Sequence, residues 1–377
     1  MPILMLDGLV LLTACALLAQ ATVYPAGDRA PTLEETRSTM GIASTDALRG
    51  QRDAIGFSST AEQMKTTWDL SAEGPAPDKL GPAPPAGVLG ALSPHDDYLY
   101  AGRVYRAVLP LVTAKTVVVI GVFHQYRKYR VRDRIVFDTY PAWRTPDGPV
   151  PVSAMREDLR AAMKDDAIQD AASHDMEHSI EAEVYWLRHA DPAVEIVPIL
   201  APATRFERLQ EIAAKLGGAI AASMKKRGLT LGKDVAIVIS ADAVHYGLDF
   251  RQVPFGDGGI DAYTKATARD RDLLQGPIAG PLEVAKIKTL YGTFVDPADP
   301  DTYRVSWCGR FSVPFGMLVM KETAKAMGLG TPVGMPLAYA TSVGAPELRV
   351  RDTGMGETAP ANLYHFVGYP AAVWVAP

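Results

Sequence analysis

The sequence predicts an α/β fold, a single domain with a mostly parallel central sheet flanked by helices. Two observations point there. Apolar runs such as "TVVVIGV" (116–122) are continuous and β-branched, as in strands covered on both faces. These runs alternate with segments of helical period, the pattern of strand–helix–strand units. The bulk numbers agree: 377 residues, 48% hydrophobic and 21% charged, suffice for a large core. A formal net charge of −5 leaves no basic footprint, which argues against a nucleic-acid partner.

The elements follow in order. Residues 9–21, "LVLLTACALLAQA", form an apolar run ending in Ala19-Gln20-Ala21, so residues 1–21 read as an export signal cleaved after Ala21. "LTAC" at Cys15 offers a lipoprotein alternative, and a cytoplasmic protein with a buried N-terminal helix is the other. No apolar run reaches the roughly 18–20 residues of a transmembrane span, so none is expected in the mature chain. Residues 22–46 are polar and mixed and read as irregular. "STAEQMKTTWDL" (59–70) reads as a helix capped by Ser59 or Thr60. Residues 73–87 are too rich in Pro and Gly for helix or strand and form a strap.

Regular structure starts at Val88. "VLGAL" (88–92) is a strand, and Val104, Val108, Leu111 and Val112 then form one helical stripe. After "TVVVIGV" come the strand "VEIVPIL" (194–200), the helix 205–226 with Phe206, Leu209, Ala213 and Leu216 inward, and the strand "DVAIVIS" (234–240). "PLAYATS" (336–342) and "NLYHFVGYPAAVWV" (362–375) add strands and an antiparallel edge.

In open parallel sheets, ligands bind beyond the carboxyl ends of the strands. Three strand ends here deliver a histidine: His95 in "SPHDDYLYAG", His124 in "GVFHQ" and His245, with Asp242, in "SADAVHYG". His95 and His124 lie one strand–helix–strand unit apart, so neighbouring strands would bring them to one rim. Two imidazoles need a third donor to hold a metal. A carboxylate there, with Glu177, Glu181 and Asp242 as candidates, would complete a facial triad for Fe(II), whereas Cys308 in "SWCGRFSVPFG" would supply a thiolate favoured by the helix that follows. In "DMEHSIEAEVYWL" (175–187), Ile180, Val184 and Leu187 form an inner stripe, and Glu181 and Glu183 are read as solvated. "EHSIE" is not the H-E-x-x-H zinc signature, so no metalloprotease follows from it.

In order and spacing these segments resemble the Memo family. Its bacterial members are called AmmeMemoRadiSam system protein B, and it is related in fold to LigB-type extradiol dioxygenases. The resemblance covers most of the chain from Val88 and begins near Ala47, which makes 47–377 one Memo-like domain. It implies a mononuclear metal site on His95, His124 and Cys308, holding iron or copper, with zinc as a third option. It also implies pocket residues at Glu177, His178, Asp242 and His245, beside Glu181 and Asp97, with His245 as acid/base. The expected chemistry is redox or oxygen-dependent, on a small molecule or peptide, with Asp242 orienting His245. AMMECR-type and radical-SAM proteins are the implied associates, an association that export would prevent. Two alternatives share the pocket: a non-catalytic binding protein, and a hydrolase with Cys308 as nucleophile. Three departures alter the surroundings. "PHDDY" stands where the family usually has "PHAGY", Gln125 replaces a second histidine, and Phe311 replaces the histidine of "CGRH".

Overall fold

A computed structural model describes residues 29–377. The expected export signal and Cys15 lie outside the described residues. Four parallel strands form the centre of the sheet, in the order Gly90–Ser93, Val235–Ser240, Thr116–Gly121, Glu195–Leu200. The first three are buried along their whole length, two of them as unbroken β-branched runs and Gly90–Ser93 with small and apolar residues. Both sides are extended by strands with antiparallel pairings. Val333–Thr341 and Phe366–Val375 lie beyond Gly90–Ser93, while Ile135–Phe137 and Ala167–Gln169 lie beyond Glu195–Leu200.

Connectivity explains where a site can form. The chain passes from Gly90–Ser93 to Thr116–Gly121 through the helix Tyr98–Val108, and returns from Glu195–Leu200 to Val235–Ser240 through the helix Phe206–Arg227. These crossovers run in opposite directions along the sheet, so right-handed connections put their helices on opposite faces. Val235–Ser240 is therefore inserted between two strands whose connections diverge, which opens a crevice at the carboxyl ends. The register keeps those ends level: Ser93 pairs with Ser240, Ile120 with Ile239, and Gly121 with Leu200.

The local signals behave as their chemistry demands. Ala61–Leu70 is capped by Thr60, whose hydroxyl accepts the Gln63 N–H in a capping box. Phe206–Arg227 ends at Gly228, which adopts φ 68°, the left-handed conformation glycine tolerates. Its four inward residues, Phe206, Leu209, Ala213 and Leu216, are all buried. No described helix is long and apolar enough to cross a membrane.

Two expectations need correction. The segment read as irregular contains a helix, Leu33–Met40, closed by a Thr32/Glu35 capping box. It docks through Arg37 Nε to Asp175 Oδ2 at 3.0 Å and a Thr36–Tyr129 hydroxyl contact at 2.6 Å. Such long-range contacts leave no local sequence pattern. The Pro/Gly-rich strap does include a short strand, Asp78–Lys79, which pairs with Tyr339 and Ala338 at the sheet edge.

Glu181 and Glu183, read as solvated, are both buried. Arg49, 1% exposed, is the reason for the first. Its guanidinium pairs with the Glu181 carboxylate, donates to the carbonyls of His174 (2.9 Å) and Glu177 (2.7 Å), and lies 4.2 Å over the Trp143 ring. Glu181 also accepts the backbone N–H groups of Arg52 and Asp53. One buried ion pair thus fixes the break between the helices Ala171–Met176 and Glu181–Ala190. Removing one partner of a buried pair strands the other. Arg49→Met should therefore cost about 3–5 kcal/mol in denaturant unfolding, and a loss below about 1 kcal/mol would show that the pair does not anchor this break.

Candidate metal centre

Three imidazoles meet at the crevice. Ring centroids lie 5.4 Å apart for His95 and His124, 5.3 Å for His95 and His178, and 4.9 Å for His124 and His178. Each ring is fixed through its Nδ1 by a different oxygen. For His95 the partner is Ser240 Oγ at 2.7 Å, whose own proton goes to the Ser179 carbonyl at 2.6 Å. The Ser240 oxygen must then accept, so His95 carries its proton on Nδ1. His124 Nδ1 donates to Glu177 Oε1 at 2.8 Å, and His178 Nδ1 to Asp53 Oδ2 at 3.0 Å. In the neutral rings, all three Nε2 atoms are left with a lone pair. Burial lowers the pKa of His95 and His124, which keeps these rings neutral and able to donate.

Glu177 is a clamp and not a donor. Its carboxylate accepts the His124 N–H (2.8 Å) and Nδ1–H, the His178 N–H (2.9 Å) and the Ser179 N–H (3.0 Å). Burial alone would raise its pKa, but His124 and these donors hold it well below the usual range. Glu181 is likewise consumed, by Arg49. Of the carboxylates considered for a facial triad, only Asp242 stays at the donors.

Asp242 and Cys308 form the second group. Among the described residues two sets of ligand atoms lie within 4.8 Å of one another: His95, His124 and His178, and His95, Asp242 and Cys308. Cys308 Sγ is 3.4 Å from His95 Nε2, and Asp242 Oδ2 is 3.3 Å from it. The expected trio is therefore divided: Cys308 and His124 each join His95, but not one common set. Gly309 permits this approach, because a Cβ there would meet the Ala241 Cβ at 2.2 Å. The thiol is not activated as the following helix suggested. Burial and the carboxylates of Asp242, Glu177 and Asp96 push its pKa well above the usual value. Burial and the charges of Asp96 and Asp97 raise Asp242 as well. A cation would relieve this crowding of acidic groups, and three free imidazole nitrogens suit it. The residues fit a transition-metal ion.

His245 is placed differently from expectation. Asp242 does not orient it: the Asp242 Oδ1 accepts the His95 N–H at 2.9 Å. The His245 Nδ1 instead faces the carbonyls of Ala243 and Ser306, both at 3.1 Å, so in its neutral form its Nε2 is the acceptor. His245 lines a pocket of about 110 Å³ with Asp96, Asp97, Tyr100, Thr358 and Tyr369. Asp97 is engaged by Thr358, accepting its N–H (2.6 Å) and its hydroxyl. Burial and Asp96 raise it to about 8. The residues that sequence reasoning missed are Asp53, Ser240 and Arg49. Ser240 closes a buried strand level with Ser93 and was open to notice; Asp53 carries no such mark.

The family model described as Memo-like protein matches residues 72–346, which include every donor but begin after Arg49 and Asp53. A MEMO1 family protein of Thermococcus kodakarensis is 30% identical over 176 residues, or 45% of this chain and 56% of that protein. One from Methanosarcina barkeri is 32% identical over 164 residues, 42% of this chain and 55% of the relative. One from Archaeoglobus fulgidus is 31% identical over 166 residues, 44% and 58%. The chain thus matches just over half the length of these curated relatives.

Partners that orient a metal-binding imidazole commonly contribute 10–100-fold in affinity. Glu177→Gln should weaken transition-metal binding by about that factor in a competition titration, with the far-UV circular dichroism unchanged. Unaltered affinity would remove Glu177 from the role of clamp.

Proposed function

The chain belongs to the Memo-like protein family, and from that premise we propose that it holds one transition-metal ion and carries out redox or oxygen-dependent chemistry on a small molecule. The observation that supports this reading is the set of three imidazoles, each fixed at Nδ1 by its own oxygen, whose ligand atoms lie within 4.8 Å of one another. His95, His124 and His178 would hold the ion. Iron or copper suits an all-imidazole set, and zinc is compatible with it. When bound, such an ion supplies Lewis acidity and, for iron or copper, one-electron redox chemistry.

The chain's own residues do the rest. Glu177, Asp53 and Ser240 hold the rings in one tautomer. Burial around His95 limits access of water. His245 Nε2 is a lone pair beside a pocket, suited to take a proton from a substrate there and return it. A second reading gives the third position to Cys308, because its sulfur lies 3.4 Å from His95 Nε2. A thiolate would shift preference toward copper or zinc, and the thiol would have to lose its proton on loading. A protonated thiol whose hydrogen-bond partners are His95 and Asp242, and not His245, counts against the cysteine hydrolase.

Anaerobic purification with elemental analysis tests the proposal. His95→Ala and His124→Ala should each abolish stoichiometric metal with the fold intact; full occupancy in either sinks it. His178→Ala should weaken binding more than Cys308→Ser, and the reverse order assigns the third position to the thiolate. Oxygen uptake with catechols and related phenols separates an enzyme from a metal-holding binding protein. Uptake by the loaded protein but not by His95→Ala is the expected result.

A further inference from the structure

Arg310 lies beside this centre without an acid in direct contact among the described residues, although the charge of Asp301 reaches it. The residue is 5% exposed. Its guanidinium carbon stacks 3.3 Å from the Tyr303 ring centroid, with the rings of Phe311 at 5.1 Å and Tyr126 at 5.8 Å. It makes no ion pair among the described residues, and its Nε is buried without a hydrogen-bond partner. Asp301, the acid on this side, is engaged by the Tyr126 hydroxyl at 2.5 Å and by Arg132 at 2.5 Å. Two loops place Arg310 at the donors. It is two residues past Cys308, its neighbour Tyr126 is two past His124, and its charge is felt at His124.

A buried guanidinium with an unpaired N–H is unfavourable unless something supplies the missing charge. Stacked rings compensate in part. What remains is an unpaired Nε–H on a planar, charged guanidinium, a group that recognises a carboxylate or phosphate through charge-assisted hydrogen bonds. Asp96, whose charge is felt at Asp242 and His245, would repel an anion from that side. The site is therefore polar across its width, and an anionic ligand has one favourable orientation.

We propose that Arg310 is the anion-binding residue of this site, and that the substrate carries a carboxylate or phosphate which pairs with its guanidinium while the reacting end lies at the imidazoles. The location of the reacting end rests on the metal-centre reading; the anion contact does not.

Thermal unfolding of the full chain, metal-loaded and chelator-treated, tests this with benzoate, acetate and inorganic phosphate at fixed ionic strength against chloride. A saturable rise in Tm is expected with the carboxylates or with phosphate, and the arm that responds identifies the group. Arg310→Met should abolish the rise, and Arg310→Lys should weaken the apparent affinity at least about tenfold. Without anion, Arg310→Met should be at least as stable as the parent, because an uncompensated buried charge has been removed. A shift that persists in Arg310→Met, or no shift with any of the three anions, overturns the proposal. If Arg310→Met does not fold, Arg310→Lys decides: undiminished anion affinity there also overturns it. A protein that binds no metal yet shows the Arg310-dependent shift refutes only the metal centre.

Discussion

The carboxylate of Glu177 holds both sides of the crevice at once. One oxygen accepts the His124 N–H at the end of a central strand, and the other gathers the His124 ring together with the His178 and Ser179 N–H groups. Four donors on one buried anion amount to a short polar core in an otherwise apolar body. Such groups are stable only when fully satisfied. The Glu177 clamp depends in turn on Arg49, which holds the carbonyls of His174 and Glu177 and so keeps the chain broken where the clamp requires it. Without that break Glu177 would lie inside one long helix, where His178 could not turn toward His95.

The electrostatics divide the centre. On one side burial keeps the His95 and His124 imidazoles neutral and ready to donate. On the other, burial pushes both Asp242 and Cys308 toward their protonated forms, helped by Asp96 and Asp97 at the carboxyl and by Asp242, Glu177 and Asp96 at the thiol. This second side would gain most from a cation, because each proton it holds is retained for want of a positive charge. Arg310 supplies a positive charge at the rim but engages neither acid, so it leaves that imbalance in place.

Much of this was legible in the sequence, for identifiable reasons. Buried parallel strands leave continuous β-branched runs, and the residues just past them must lie at one edge of the sheet. His95, His124, Asp242 and His245 could be read that way. Cys308 stood out as a possible third donor, and the family resemblance chose it over the carboxylates and added the pocket position of His178. What stayed hidden were partners far apart in sequence: Asp53 under His178, Arg49 against Glu181, and the helix Leu33–Met40 against Asp175. No local period records such pairings. Glu181 and Glu183 misled because glutamate on a helix is ordinarily solvated, and only the fold discloses that this face is covered. The division of His124 from Cys308 is likewise a matter of a few ångströms, which spacing along the chain cannot resolve.

The shared position of His95 has a consequence for stoichiometry. Its Nδ1 is committed to Ser240, so it has a single lone pair, on Nε2, and both donor sets draw on it. The two sets are therefore rival settings of one centre and not neighbouring compartments. If the crevice holds an ion, that lone pair would limit it to one at a time, and passage from one set to the other would keep His95 while exchanging imidazoles for the acid and the thiol.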